Sequence, residues 1–252
     1  MSTGSSRYLR EVNKPPGERL RRLTVVAAPW YNELTLGRRN MYNPPMFRED
    51  RMDHLAALMR SHPLATLVTL GSEALIATHL PLIFEPIQNS LGILHGHVAR
   101  ANAQWHDLNP KVEALAIFKG PDVYISPSWY PSKRQTGRVV PTWNYAVVHA
   151  YGRVESYSEY GRLRRHLESL TALHEARFTS PWSLSDAPES FIESMAKTIV
   201  GVDIRITRLE GKVKVSQNRT AEDRSGVVQA LLGRDDADSK AIAQLVCEHA
   251  PK

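Results

Sequence analysis

The feature that most constrains this chain is a run of short β segments, punctuated by Gly and Pro, with no helical period between them. Leu64 to Leu70, a turn over Gly71 to Glu73 and a second run from Ala74 to Phe84 read as a β-hairpin. Further strands are predicted near Ile93–Val98 and Val112–Lys119. Tyr124, Trp129, Tyr130, Trp143, Tyr145 and Tyr151 then interleave with Pro127, Pro131 and Pro141, which makes a poor helix. The stretch from Val139 to Val154 is expected to be one long strand entered through Pro141. Strands in this order, without alternating helices, argue against repeated βαβ units and for a barrel or sandwich.

Helical period brackets that block. From Asp50 to His62, Met52, Leu55, Leu58 and Met59 recur at steps of three and four, with Asp50 as the expected N-cap and His62-Pro63 as the stop. Leu163, Leu167, Leu170 and Leu173 form one stripe of a helix over Ser158–Phe178. Asp186-Ala-Pro-Glu189 reads as a capping box opening a helix with Phe191, Ile192, Met195 and Ile199 on its apolar face, stopping at Gly201. Val202–Arg208 and Lys212–Gln217 are expected to pair as a hairpin across Glu210-Gly211. Thr220 opens a short helix ended by Gly233, and a last helix is predicted from about Asp238 to His249. The fold class is α+β, without internal repeat.

The formal net charge is +6, which invites a nucleic-acid reading until it is located. Residues 1–40 hold Arg7, Arg10, Lys14, Arg19, Arg21, Arg22, Arg38 and Arg39 against Glu11, Glu18 and Glu33, a net +5. Residues 41–252 are therefore close to neutral, at +1. The basic stretch is Ser/Gly-rich at its start and lacks Asp. It reads as a disordered leader, a start codon placed too far upstream, or a targeting segment. A body over 41–232 and a C-terminal helix over 233–252 follow. A single Cys, Cys247, excludes an internal disulfide, and no apolar run is long enough for a membrane span. A soluble, cytoplasmic protein is the expectation.

Common catalytic signatures are missing: no Gly-x-Gly-x-x-Gly, Walker loop, Gly-x-Ser-x-Gly or His-Glu-x-x-His occurs. Cys247 and His249, two apart on a helix, point away from one another and make no nucleophile pair. His95 and His97 share one face of a strand, but a metal needs a third ligand, so a polar cleft wall is expected and no metal site. Gly96-His-Val-Ala-Arg-Ala-Asn102 runs a strand into a turn carrying Arg100, whose fork of donors suits a phosphate or a surface ion pair. Pro141-Thr-Trp-Asn-Tyr145 offers a hydroxyl, an indole and a carboxamide, either a wall for a flat heteroaromatic ligand or plain core. Lys133 and Arg134 are expected on a mobile loop, clamping an anion or solvated.

Together these stretches resemble one family. Ala77-Thr-His-Leu-Pro-Leu82, Gly96 to Asn102 with Trp105, Phe118 to Lys133, Val140 to Tyr145 with His149, Leu170 to Glu175, Pro181-Trp182, Asp186-Ala-Pro188 and Lys214 to Arg219 are similar to the FMN-binding negative transcriptional regulators of the PaiB type. The resemblance runs in order from Met41 to about Leu232, with Ala103 where the pattern has Pro. It implies a split β-barrel, FMN as cofactor, a homodimer with the flavin at the subunit interface, and a repressor role in protease synthesis and sporulation. It also implies that Arg100 and Asn102 hold the phosphate with His97 nearby. Thr142, Trp143 and Asn144 would then face the ring, Thr78 and His79 lie along it, and Lys133 serve as a second cation. Lys214, Ser216 and Gln217 carry over by motif without a role.

A repressor should show a DNA-reading element, and the last two helices have helix-turn-helix spacing. Residues 234–252, however, carry a net charge of −1, so DNA as a direct partner is not supported by charge. The alternative function is a flavin-dependent oxidoreductase acting on a small substrate, with hydride chemistry belonging to the flavin. A barrel that has lost its cofactor is the third possibility.

Overall fold

The computed structural model describes residues 40–109 and 111–251. The expectations for the leader fall outside these residues, Asn40 apart. In chain order the elements are β1 (Arg48–Glu49), α1 (Met52–Ser61), β2 (Leu64–Leu70), β3 (Leu75–Pro81), β4 (Ile83–Glu85), β5 (Ile93–Ala99), β6 (Ala114–Ile125), α2 (Ser132–Thr136), β7 (Thr142–Tyr157), α3 (Tyr160–Glu175), α4 (Glu189–Ala196), β8 (Ile199–Lys214), α5 (Ala221–Leu232) and α6 (Ala237–Glu248). All eight strands join one antiparallel sheet in the order β3-β2-β6-β7-β8-β5-β4, with β1 added to β8.

The sheet curls until its two ends meet without a closing ladder. At Gly96 of β5 an added Cβ would stand 2.7 Å from Leu82 Cδ2 and 3.1 Å from the Pro81 carbonyl. Only glycine lets β5 come this close to the end of β3, so the barrel is shut by packing and remains split along that seam. Alternation puts Leu67, Ala116, Phe118, Val148, Ala150 and Ile204 inside, and Phe118, Ala150 and Ile204 are fully buried. A second cluster, with Ile125, Val215, Leu231 and Ile242, seals the other end of the long strands beneath α5 and α6. The chain from Asn40 onward is one compact unit that includes α6.

Several local expectations are corrected. β8 passes unbroken through Glu210-Gly211, which pair with His149 and Val148 of β7. A Cβ on Gly211 would lie 2.2 Å from Leu55 Cδ2 and 2.5 Å from the Glu49 carbonyl, so the glycine admits α1 and β1 and makes no turn. β6 continues past Lys119 to Ile125 through a register shift between Lys119 and Asp122. Arg51, with no side-chain cap bond, occupies the N-cap position of α1, and Asp50, one residue further out, is paired with Arg48 at 2.8 Å. The capping box belongs to Ser183 and Asp186 on a short 3-10 turn, and α4 opens after Pro188 and ends at Ala196. α6 is capped by Asp236, whose Oδ1 accepts from Ser239 N at 2.8 Å. Lys133 and Arg134 belong to a helix, α2, where a mobile loop was expected.

Gly152 sits at the register shift of β7 against β8, where a Cβ would stand 2.3 Å from the Arg205 carbonyl oxygen. Backbone cannot swing away as a side chain can. Gly152→Ala is expected to destabilise by about 1–3 kcal/mol, read as a lower urea midpoint at unchanged slope.

Candidate functional site

The outer face of the sheet divides into a covered half and an open half. Over β5 and the start of β8 lie α3 and α4: His95 Nδ1 is 2.8 Å from Asp203, Arg162 donates to Asp203 at 2.6 Å, and His97 Nδ1 meets His166 Nε2 at 3.0 Å. His95 is raised above its ordinary range by the bond to Asp203, while burial lowers His97 and pushes His166 down to about 4. The pair His97–His166 is thus neutral at neutral pH.

Over β3, β2, β6 and the first half of β7, no described element covers the sheet. The register aligns Ala77, Val68 and Leu115 in one row and His79, Thr66, Ile117 and His149 in the next. Leu64 and Leu75 at the margin are 67% and 72% exposed. Such side chains in a contiguous strip are expected where another surface or a ligand is to be bound. His149 Nδ1 has no partner among the described residues, and burial lowers its pKa.

Two polar groups flank this strip. At one end Asn102 follows β5, accepts from Gln104 N through Oδ1 at 2.9 Å, and donates to Thr78 Oγ1 at 3.0 Å. His79 stands beside Thr78, with its Nδ1 2.9 Å from Thr66 Oγ1. Gln104 fixes the turn: its Nε2 lies 3.2 Å from the Leu67 carbonyl, 3.0 Å from Thr69 Oγ1 and 3.3 Å from the Ile76 carbonyl. Thr78 is thereby joined to Asn102 on the face it shares with Leu67, while His79 and Thr66 pair on the opposite, open face. Thr66 and Gln104 are residues that sequence reasoning missed. Gln104-Trp105 within the family motif was the available signal.

At the other end Trp143 is 53% exposed and meets Tyr124 edge-on at 5.9 Å between centroids. Lys214 Nζ donates to Thr142 Oγ1 and to the Trp143 carbonyl, at 2.5 and 2.6 Å. Burial and the neighbouring Lys212 lower its pKa. Asn144, next along the strand, necessarily faces the other way. It is fully buried and its Nδ2 donates to Ser216 Oγ at 3.0 Å. Gln217 Oε1 accepts from Val215 N at 2.7 Å and its Nε2 donates to the Val213 carbonyl at 2.6 Å. The motif Lys214 to Arg219 thereby acquires a role: it ties off β8 and fixes the entry of β7.

Three other predicted residues lie elsewhere. His97 is turned to α3. The Arg100 guanidinium donates to the Lys197 and Ile199 carbonyls, at 2.7 and 2.9 Å, beside a cleft of about 380 Å³ that includes Ser158 and Tyr160. Lys133 is exposed on α2, which is held to α5 by Ser132 Oγ donating to Asp223 at 2.7 Å. The nine predicted residues therefore do not converge on one point of a single chain. Ile117, in the row of His79, and Tyr124, paired with Trp143, are separated along β6 by roughly 20 Å at about 3.3 Å per residue.

The open strip fits a flavin. Ala77, Val68 and Ile117 make a flat apolar floor for a ring system, and Thr66, His79 and the His149 Nδ1, unpartnered among the described residues, supply polar groups on the same face. Fold and face together define a split-barrel protein built to take a flat, polar-edged ligand.

Residues 41–208 match the family described as "Putative FMN-binding domain". An uncharacterised protein of Emericella nidulans is 33% identical over 243 residues, covering 82% of this chain and 97% of that protein. The "Protease synthase and sporulation protein PAI 2" of Bacillus subtilis is 32% identical over 206 residues, covering 82% of this chain and 96% of that protein. Among solved structures, the flavocytochrome Anf3 from Azotobacter vinelandii is similar at a TM-score of 0.48 and 14% identity, over 77% of this chain and 75% of that one. The chain belongs to the FMN-binding domain family, and its cofactor is a flavin. Among the described residues no helix is long and apolar enough to cross a membrane.

Proposed function

We propose that this flavin-binding protein works as a homodimer, with FMN held between the open sheet faces of two copies, and that it serves as a negative regulator whose state follows the flavin. The observation that carries the dimer is the separation of the two polar groups along β6. One copy offers Thr66 and His79 at one end of the strip, with the Thr78–Asn102 pair behind its edge strand, and Trp143 with the Lys214-bound Thr142 at the other. A two-fold axis through the strip sets the first group of one copy opposite the second group of its partner. The apolar floor between them is covered in the same step.

When bound, the flavin supplies one- and two-electron chemistry of its own. The chain's part is to bind and orient it: the strip excludes water from one ring face, and Thr66 and His79 present polar atoms there, with the Thr78–Asn102 bond fixing the edge strand behind them. Trp143 offers a stacking edge. Asn144 and His97 support from behind, through Ser216 and His166, without touching the ligand. In this arrangement Arg100 takes the phosphate through the donors its two carbonyl bonds leave over, while Lys133 takes no part. Arg100→Ala is expected to weaken FMN binding about 10–150-fold in a fluorescence titration. An unchanged affinity would confine Arg100 to holding the junction of α4 and β8.

The regulatory part rests on kinship with the Bacillus protein whose name refers to protease synthesis and sporulation. It does not rest on a DNA-reading helix. Ile242, Ala243 and Val246 of α6 are buried against the body, and the terminal segment exposes Asp235, Asp238 and Glu248. Regulation is therefore assigned to flavin occupancy, in a cytoplasmic protein. Binding of promoter DNA by residues 41–252, in a salt-sensitive manner, would contradict that assignment. Steady oxidation of a nicotinamide cofactor under air would move the protein to the oxidoreductase class. Absence of both, with FMN bound, is the expected result.

A further inference from the structure

Where β1, α1 and the end of α6 meet, three segments distant in sequence bring ligand-type side chains together. Glu49 is in β1, His54 in the first turns of α1 and His249 just past α6; one ligand atom from each lies within 4.8 Å of the others. Glu49 Oε2 is 3.2 Å from His249 Nε2 and 3.5 Å from His54 Nδ1. The Glu49 side chain is only 6% exposed.

The tautomer of His249 can be read from its surroundings. Its Nδ1 lies 3.1 Å from the Leu245 carbonyl, which can only accept, so Nδ1 carries the proton. Nε2 is then the ring atom that faces the Glu49 carboxylate, and it is free to serve as a metal ligand when it carries no proton. A cation already stands at this contact: Arg51 Nη2 lies 2.5 Å from Glu49 Oε2 and 3.3 Å from His249 Nε2. The Arg51 side chain is 55% exposed and can leave for water, whereas Glu49 cannot. The site borders a cavity of about 510 Å³ between α1, α6 and the sheet, which leaves room for water in open coordination positions.

We propose that Glu49, His54 and His249 form a site for one zinc-type divalent cation, with Arg51 as its displaceable placeholder. Two imidazoles and one carboxylate are a donor set of the borderline type that zinc accepts. Closing the triangle to one face of a tetrahedron with metal–nitrogen bonds of about 2.0–2.1 Å needs shifts on the order of an ångström. The bound cation pins the end of α6 to β1 and α1, so it stabilises the fold by mass action.

The test is calorimetric titration of the untagged full chain with zinc chloride, beside His54→Ala/His249→Ala, His249→Gln and Arg51→Gln. The wild type is expected to take one zinc ion and to melt at a higher temperature with it. His249→Gln should lose more affinity than the roughly 10–100-fold that follows loss of an outer-shell partner, and the double variant should lose the site. Arg51→Gln should bind zinc as tightly as the wild type or more tightly, which a merely structural ion pair does not predict. Equal binding by wild type and double variant would overturn the proposal, as would loss of binding in Arg51→Gln. If the double variant does not fold, imidazole nitrogen resonances of the wild type decide: His54 and His249 shift together on adding zinc, and no shift refutes the site.

Discussion

Ile117→Glu is expected to yield a folded monomer that has lost its flavin. Ile117 lies at the middle of the open strip, paired with Thr66 on one side and His149 on the other, and it is half-buried in the single chain. A glutamate there can reach water in the monomer, so the fold tolerates it. In the proposed dimer the carboxylate would be shut between two largely apolar faces, where the neighbouring His149, whose pKa burial lowers, supplies no fixed positive charge. Such an uncompensated buried charge costs about 3–5 kcal/mol, a factor of roughly 100 or more in association. Sedimentation equilibrium should report one chain where the wild type gives two, and the flavin absorption should vanish from the purified variant. Far-ultraviolet circular dichroism should be unchanged. A dimeric, yellow variant would mean that the partner surface lies elsewhere.

Acid should weaken the fold through His166, and removing that ring should flatten the response. Burial is the main cause of its low pKa of about 4, with the neighbouring His97 adding to it, against a value of 6.5 when unfolded. Between these two pH values the unfolded chain holds a proton that the folded chain refuses, so stability falls as pH falls from 6.5 towards 4. The loss is about 3 kcal/mol over that window. His95 works in the opposite sense, because its bond to Asp203 raises it and favours the folded state on the acid side. Asp203 is held below its ordinary value and so acts at lower pH still. Comparing wild type with His166→Leu isolates the one ring: the wild type should lose about 3 kcal/mol more over the window, by urea denaturation at each pH. Parallel curves for the two proteins would contradict the buried neutral pair.

Much of the barrel was legible because strands write their two faces into the sequence with period two. That period placed His95 and His97 together, although it could not say which face a helix would cover. Asn144, expected on the ring beside Trp143, is instead turned inward to Ser216 by the same alternation. His97 was read beside the ligand because its motif ends in Arg100 and Asn102. In the fold, α3 returns over that face, and only tertiary structure reveals it. Gly211 shows the opposite failure. A glycine after a charged residue resembles a turn, but here it admits the Leu55 side chain and the Glu49 backbone. The Thr78–Asn102 bond joins strand β3 to the turn after β5 across the seam of the barrel, and no local pattern announces a contact across a seam. The roles of Lys214, Ser216 and Gln217 were equally unreadable, since they depend on the last turns of β8 lying against the first of β7.

The most direct measurement is native mass spectrometry of the FMN-loaded protein, followed by dilution through the dimer–monomer transition. The dimer should carry two FMN, and each chain should release its flavin as the dimer dissociates. A monomer that retains tightly bound FMN would contradict the interface-held site.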